Sequence, residues 1–478
     1  MNQELKTPII EDDVGIYIDP SRRAIVSIAL FVAVFGCNFS FRSYGVALPS
    51  IVANWTYSSF LYSAGNSLMT VAMTVATLIV VKLSAKTGLK KTIIAGLVIV
   101  LTCDIATVFA PNIIVFLVIR VFYGVGCGFI CGQELSSLNL IWPSADRKRW
   151  VGMRGVTYSI ASVIGPTVAG LIVDNLGWQA TFYTVFVFHL FGLIVFALSC
   201  PADARNRFYK DSPFDYAGCI AFITFITAAT LVCNLGNALG WGNTIIVAGL
   251  IIVVVSFIAL LKIESGKASG AILPLDLFKR NSNFTKLFFI SVFACIVNMA
   301  PVNFLALYLQ RIGGTSATAS GLPCSLIYLV TLFFTFTISR IDHLKSKKVL
   351  IFCSLVGMVV IGVLAAWLSP NVGEQLVTIN IIAACYGIGN AITTTTIYDA
   401  VAEYVETVDI GISTSLLYMG TTFGGSVGLS ILQLIMNTVI NLTGDMGAGI
   451  KGLFWGSFAA SVVVILLALS LKDDKKRI

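Results

Sequence analysis

The amino-acid sequence predicts an all-α protein that crosses a membrane many times. Hydrophobic residues account for 57% of the chain and charged residues for 11%, and the mean hydropathy is +0.92. Soluble proteins carry roughly 25% charged residues, so this composition excludes an ordinary soluble domain. The formal net charge of +8 does not indicate nucleic-acid binding, because the basic residues form short clusters between apolar runs.

Apolar runs long enough to span a bilayer recur along the whole chain. A spanning helix needs about 20 mostly apolar residues, and fourteen runs fit: 24–47, 58–82, 91–110, 113–141, 150–173, 180–200, 215–236, 243–262, 285–307, 318–339, 348–368, 376–400, 411–439 and 452–471. We therefore expect two six-helix bundles and an inserted helix pair. The expected parts are an N-terminal tail (1–23), a first bundle (24–200), the inserted pair (201–262), a linker (263–284), a second bundle (285–471) and a C-terminal tail (472–478).

The basic clusters predict the orientation of the chain. If the N-terminus lies inside, the predicted outer turns hold little lysine or arginine beyond Arg311 and Lys451. An excess of these residues marks the cytoplasmic side of a membrane protein. The first twenty residues hold five acids and Pro20, unlike a signal peptide. We therefore expect both termini in the cytoplasm and a location in a bacterial inner (plasma) membrane.

The eleven cysteines do not predict a disulfide framework or a metal site. Ten of them lie inside apolar runs, where cysteine acts as a small hydrophobe. Cys127 and Cys131 are one helical turn apart, yet no histidine or acid stands beside them. The sequence also lacks a phosphate-binding Gly-x-x-x-x-Gly-Lys-Ser/Thr loop. We expect no metal, no cofactor and no direct use of ATP.

Two neighbouring runs combine small residues with buried charge. In lipid, helices associate by close packing, so small residues at four-residue spacing mark helix contacts. An arginine inside such a run indicates a functional site. The residues concerned are Arg120, Gly124 and Gly128 in the fourth run, and Gly165, Pro166 and Gly170 in the fifth.

Two similar basic turns suggest an internal repeat, as many carriers have. The turn at 82–91 contains Gly88, Lys90 and Lys91, and the turn at 339–348 contains Asp342. With Val46–Ile51, the fourth-run arginine and glycines, Gly165-Pro166 with Gly170, Gly177-Trp178 and Gly424–Gly428, the chain resembles the major facilitator superfamily, and within it the fourteen-helix drug:proton antiporter branch. The resemblance implies the major facilitator fold, transport driven by a proton gradient, and gating or motif roles for these glycines, Pro166, both lysines and Asp342.

The chain departs from that branch at two places. The first basic turn has Ala85 where the family has an acid. Members that expel cationic drugs commonly carry an acid near the position of Ser40, whereas this chain places Arg42 two residues further on. These departures argue against a conventional exporter of cationic drugs.

The buried charges suggest an anionic or zwitterionic substrate. Arg42, Asp104 and Arg120 fall near the middle or in the outer half of their runs, which leaves one spare positive charge. The arginine fork binds carboxylate or phosphate with two hydrogen bonds. Two alternatives stay open, in which Arg42 snorkels to the outer headgroups and Arg120 pairs with Asp104.

Further polar residues complete the candidate site. Glu134 lies nearly four turns after Arg120 and is either a proton acceptor or an ion-pair partner of Arg154. Asp399 is a third candidate for proton coupling, after Asp104 and Glu134. The candidate substrate ligands are Arg42, Arg120, Ser40, Asn298 and Asn390. His189 is either a proton relay or a hydrogen-bonded structural residue.

The sequence therefore predicts a proton-coupled secondary carrier that exports a small amphipathic or anionic solute. The alternative is proton-driven uptake of an organic anion such as a siderophore or carboxylate. No catalytic cluster supports an intramembrane enzyme, and the two-half repeat argues against a sensor without transport. The expected partners are the solute, protons and the bilayer, with room for a periplasmic adaptor and an outer-membrane channel, and no nucleic acid.

Overall fold

The protein is all-helical in a computed structural model. The structure describes residues 16–53, 60–202, 215–265, 275–338, 346–368, 375–405 and 410–472. The first half contains α1 (Pro20–Ala53), α2 (Phe60–Thr87), α3 (Leu89–Val108), α4 (Ile113–Ile141), α5 (Ser144–Leu176) and α6 (Trp178–Ser199). The pair α7 (Tyr216–Leu239) and α8 (Thr244–Ser265) follows, and then the short helix α9 (Leu275–Arg280).

The second half contains two helices that are interrupted by a π-helical turn. The first comprises α10 (Ser282–Met299), the turn Ala300–Phe304 and α11 (Leu305–Arg311), and the second comprises α14 (Leu376–Ala391), the turn Ile392–Thr396 and α15 (Ile397–Tyr404). The others are α12 (Ala317–Ile338), α13 (Ser346–Trp367), α16 (Ile410–Thr443) and α17 (Met446–Leu469). Single π turns are frequent at functional sites.

Twelve helical segments in the described part of the chain are long and apolar enough to cross a membrane. Two further apolar helical stretches, Leu68–Thr77 in α2 and Leu376–Ala391, are shorter. The fold class predicted from the sequence is thus confirmed as a multispan helical membrane protein. The count of fourteen spans, the part boundaries and the cytoplasmic termini stay predictions.

Two hydrogen bonds near the ends of the described chain mark one face of the helix bundle. The Ile16 amide donates to the Leu140 carbonyl at 2.9 Å, and the Asn283 side chain donates to the Lys472 carbonyl at 3.1 Å. We call the side with these contacts the terminal face. The opposite face carries the α5–α6 turn at Gly177 and the start of α12.

The glycines of α4 and α5 mark close helix contacts, although not with each other. A Cβ at Gly124 would overlap the Met69 carbonyl of α2. A Cβ at Gly170 would lie 2.6 Å from Thr318 Cα of α12. The small-residue faces of α4 and α5 therefore pack against different helices, α2 and α12. The α5 glycine joins the first half to the second.

The inserted pair lies against both halves. Phe225 of α7 stacks on Phe423 of α16 with ring centroids 6.0 Å apart. Ile226 of α7 and Val71 of α2 belong to one buried apolar cluster. The pair α7–α8 therefore covers the seam where α2 of the first half meets α16 of the second.

Candidate functional site

Arg120 is a fully buried cation held by aromatic rings and a thioether. Its side chain has 0% exposure, and Nη2 contacts the Met69 sulfur at 2.7 Å. The guanidinium lies over the rings of Tyr44 and Tyr123, at 4.7 and 4.9 Å from their centroids. Its Nε finds no hydrogen-bond partner among the described residues. Within the described chain, the Met69 sulfur and cation–π contacts with two tyrosines therefore stabilise this positive charge.

Asp104 pairs with His189 and not with Arg120. Asp104 Oδ2 lies 2.7 Å from His189 Nδ1, and the side chains are 1% and 0% exposed. On the other side of the ring, Nε2 lies 3.6 Å from the Cys37 sulfur. The alternative of an Arg120–Asp104 ion pair is therefore wrong for this structure, and the lone histidine of the sixth run has a partner in α3.

Arg42 connects the two halves of the chain. Its guanidinium lies 4.4 Å from the ring centroid of Tyr328 in α12 and 5.3 Å from that of Phe41. Nε and Nη1 are buried and have no hydrogen-bond acceptor within the described chain. This part of the guanidinium therefore packs against the second half of the chain, and snorkelling of Arg42 to the outer headgroups stays an untested alternative. Gly165 of α5 lies beside it, where a Cβ would be 3.2 Å from Arg42 Cβ.

The two arginines share one stretch of α1. Tyr44 lies under Arg120 and comes two residues after Arg42, so residues 41–44 contact both guanidinium groups. Asn298 of α10 is buried beside Tyr328, and its Oδ1 has no donor among the residues described. Residues two apart lie on opposite faces of a helix, so Arg42 faces Tyr328 and Asn298 on one side of α1, whereas Arg120 contacts Tyr44 on the other side.

Glu134 forms a buried ion pair with Arg154. Glu134 Oε2 accepts a hydrogen bond from Arg154 Nε at 2.8 Å, and the side chains are 0% and 20% exposed. The guanidinium also lies over the Tyr158 ring at 4.5 Å. Tyr398 and Tyr418 of the second half lie within electrostatic range of this pair. The structure therefore contains the predicted ion pair of Glu134 with Arg154. The alternative role of Glu134 as a proton acceptor stays a prediction.

The other predicted site residues have no described contact with Arg42 or Arg120. Ser40 is 3% exposed, and its carbonyl accepts a bond from the Ser43 hydroxyl. The Asn390 amide donates to Thr331 Oγ1 at 3.1 Å and so ties α14 to α12. Asp399 is exposed in α15. Asp342 lies outside the described residues.

The first basic turn is described in part. Gly88 has φ +97°, which permits the sharp connection between α2 and α3. Lys90 is half-buried and Lys91 is exposed at the start of α3. Gly128 of α4 packs on α2, where its Cβ would lie 2.6 Å from the Met73 carbonyl. Gly88 thus forms the turn near the terminal face, and Gly128 forms a close contact between the middle parts of α2 and α4.

Sequence reasoning missed the aromatic partners of both arginines. Tyr123 stands three residues after Arg120 in the same helix, so helical spacing could have indicated that contact. Tyr328 and Met69 are distant in sequence, and no spacing rule indicates them. The pairing of Asp104 with His189 was missed because it depends on the adjacency of α3 and α6.

Buried charges inside a bundle of membrane-spanning helices are typical of membrane carriers. Residues 30–429 match the family model described as Major Facilitator Superfamily. Because this match covers most of the chain, the protein belongs to that superfamily of membrane transporters.

Relatives and a solved structure agree with this assignment. The chain is 24% identical to the multidrug transporter protein MdtP of Bacillus subtilis (strain 168), over 87% of this chain and 76% of the relative. It is 24% identical to the aspyridones efflux protein of Neocamarosporium betae, over 86% of this chain and 74% of the relative. An auto-inhibited POT family peptide transporter has a TM-score of 0.65 and 14% identity, with 96% of this chain and 98% of that chain covered. This last likeness concerns the fold alone.

Proposed function

We propose that this protein is a proton-coupled secondary carrier that exports a small amphipathic or anionic solute, bound at Arg42 and Arg120. The observation that carries the proposal is Arg42, which extends from α1 of the first half to Tyr328 of the second at 4.4 Å. Its buried Nε and Nη1 have no acceptor among the described residues. A solute carboxylate, sulfonate or phosphate supplies charged acceptors for these donors.

Export is supported by the relatives, which carry the names of a multidrug transporter and an efflux protein. The proposal includes membership of the fourteen-helix drug:proton antiporter branch, orientation with both termini in the cytoplasm, and location in a bacterial inner membrane. Asp104, Glu134 and Asp399 are the candidate proton carriers. A periplasmic adaptor and an outer-membrane channel are optional partners of such an exporter.

A second candidate, proton-driven uptake of an organic anion such as a carboxylate or siderophore, is favoured by one contact. The Asp104–His189 pair lies within electrostatic range of Arg120. A proton on this pair removes negative charge that offsets Arg120, so a proton and an anion bind best together. In a cell with an acidic exterior, joint binding drives both inward.

The test is solute flux in proteoliposomes under an imposed pH gradient. A fluorescent aryl sulfonate and ethidium serve as the anionic and cationic probes, with wild type, Arg42→Gln and Arg42→Lys compared. We expect sulfonate flux that Arg42→Gln reduces at least about tenfold, the value of a charged hydrogen bond, and that Arg42→Lys reduces less. Inverting the pH gradient distinguishes export by exchange from joint uptake. Movement of ethidium alone, unaffected by either variant, overturns the anion site.

A further inference from the structure

The Asp104–His189 pair is buried inside the first half, away from the Arg42–Tyr328 contact. His189 in α6 and Asp104 in α3 are joined at 2.7 Å. The chain makes room for the ring, because a Cβ at Gly36 of α1 would lie 2.8 Å from His189 Nε2 and Cδ2. The histidine is therefore built into the interface of α1, α3 and α6.

Ionisable groups surround the pair on three helices. Cys37 faces it from α1 at 3.6 Å, and Cys103 adjoins Asp104 in α3. From α4, Arg120 and Tyr123 lie within electrostatic range of Asp104, and Cys127 adjoins Tyr123. The Tyr123 ring centroid lies 6.2 Å from that of His189. Arg120 is the permanently charged group in this set, since arginine does not lose its proton in proteins.

We propose that the Asp104–His189 pair holds the exchangeable proton of transport, and that its protonation state sets the charge against which Arg120 binds its ligand. This inference rests on the proposed function in taking the proton as the coupling ion, and its joint binding of proton and anion belongs to the uptake candidate and not to export by exchange.

The proton binds at either of two atoms of the pair, His189 Nε2 or Asp104 Oδ1. If Nδ1–H of His189 donates to Asp104 Oδ2, then Nε2 is an acceptor that faces the Cys37 thiol. Asp104 Oδ1 has no hydrogen-bond partner in the part of the chain that the structure describes. A buried net negative charge is costly, and binding a proton at either atom neutralises the pair.

Charge balance links this proton to the substrate site. Without it the pair has a net charge of −1 and offsets Arg120, whose own charge is +1. With it the pair is neutral, and the charge of Arg120 is left for an anion. In a buried site such charges interact strongly even when they are not in contact. The pair thus acts on the ligand through Arg120, as a positioning element.

The other candidate proton carriers are less suited to this role. Glu134 is already neutralised by Arg154 at 2.8 Å, and breaking that pair would leave a buried cation. Asp399 is exposed in α15. Asp104 and His189 are the candidates that combine burial with unsatisfied acceptor capacity beside Arg120.

The test uses the fact that the chain contains two histidines. The variant His343→Gln leaves His189 as the single histidine, and its ring nitrogens are followed by ¹⁵N NMR in ¹⁵N-histidine-labelled full-length protein between pH 5 and 9. We expect the ring signals to titrate within this range. In Asp104→Asn we expect the ring to stay neutral throughout, because the amide does not stabilise an imidazolium.

Tyr183→Phe is the matched control, because Tyr183 is exposed on α6, and it should leave the titration unchanged. A ring that keeps one protonation state from pH 5 to 9 in His343→Gln overturns the inference, whether or not Asp104→Asn folds. Proton-driven flux is measured on wild type and on His343→Gln. Flux in both proteins without ring titration rejects the proton site and leaves the carrier function intact, whereas ring titration without flux in wild type rejects the carrier function.

Discussion

Asp174 at the end of α5 accepts a hydrogen bond at 2.9 Å from the backbone amide of Thr318 at the start of α12. Its other carboxylate oxygen accepts from the Ala317 amide at 3.1 Å. An acid of the first half thus satisfies the first free amides of a helix in the second half, where the helix dipole also favours negative charge. Nearby, Gln310 and Arg311 donate to the carbonyls of α1 residues 46 and 49. The two halves are therefore fastened together at the opposite face.

Removing the Asp174 carboxylate is expected to loosen this face. Asp174→Ala leaves the amides of Ala317 and Thr318 without their acceptor, at a cost of about 1–2 kcal/mol for hydrogen bonds to a charged group at an exposed site. Hydrogen–deuterium exchange followed by mass spectrometry should show roughly tenfold faster exchange in the peptide that contains residues 317–320.

Asn175→Ala is the matched control for this experiment. Asn175 is the next residue of α5, and its amide donates within its own helix to the Leu171 carbonyl at 2.8 Å. Its loss should leave exchange in the 317–320 peptide at the wild-type rate. Equal exchange in Asp174→Ala and Asn175→Ala would show that the carboxylate does not hold the halves together.

A second contact between the halves depends on the absence of a side chain. A Cβ at Gly321 of α12 would lie 2.5 Å from the Pro166 carbonyl of α5. Gly321→Ala is expected to push the helices apart, with an overpacking cost of about 1–3 kcal/mol and a lower melting temperature in detergent. Gly155→Ala in α5 is the control, because a Cβ there meets nothing within 4 Å. If both variants melt alike, the α5–α12 contact contributes little to stability.

The sequence predicted the features that depend on one helix at a time. Hydropathy predicted a multispan helical membrane protein, and burial of Arg120 followed from its place inside an apolar run. The pair Glu134–Arg154 was within reach because both residues lie near the ends of consecutive helices. Tyr328 could not be assigned to Arg42, because that contact requires the adjacency of α1 and α12, which is set by how the halves pack. The contact of Asp174 with the start of α12 was not predicted from the sequence, for the same reason.

Arg120 is expected to lower the free energy of unfolding while it contributes to anion transport. A buried cation whose charge is stabilised by aromatic rings still carries a desolvation penalty, and an apolar residue of similar length avoids it. Arg120→Met should therefore keep or raise the melting temperature, by the equivalent of about 1–4 kcal/mol. Anion flux should fall at least about tenfold because the ligand loses a charged hydrogen bond. A clear drop in melting temperature would assign Arg120 to the fold instead.

The Glu134–Arg154 pair should behave in the opposite way. Glu134→Gln leaves the Arg154 guanidinium largely buried without its acid, which costs about 3 kcal/mol, whereas replacing both partners removes the orphaned charge. The melting temperature should fall in Glu134→Gln and recover most of the loss in Glu134→Gln/Arg154→Met. Proton-driven flux separates this structural role from proton coupling. If the double variant folds and transports, Glu134 carries no obligatory proton. If it folds and the proton dependence of flux is lost, Glu134 belongs to the coupling path and the assignment of that path to Asp104 and His189 is incomplete.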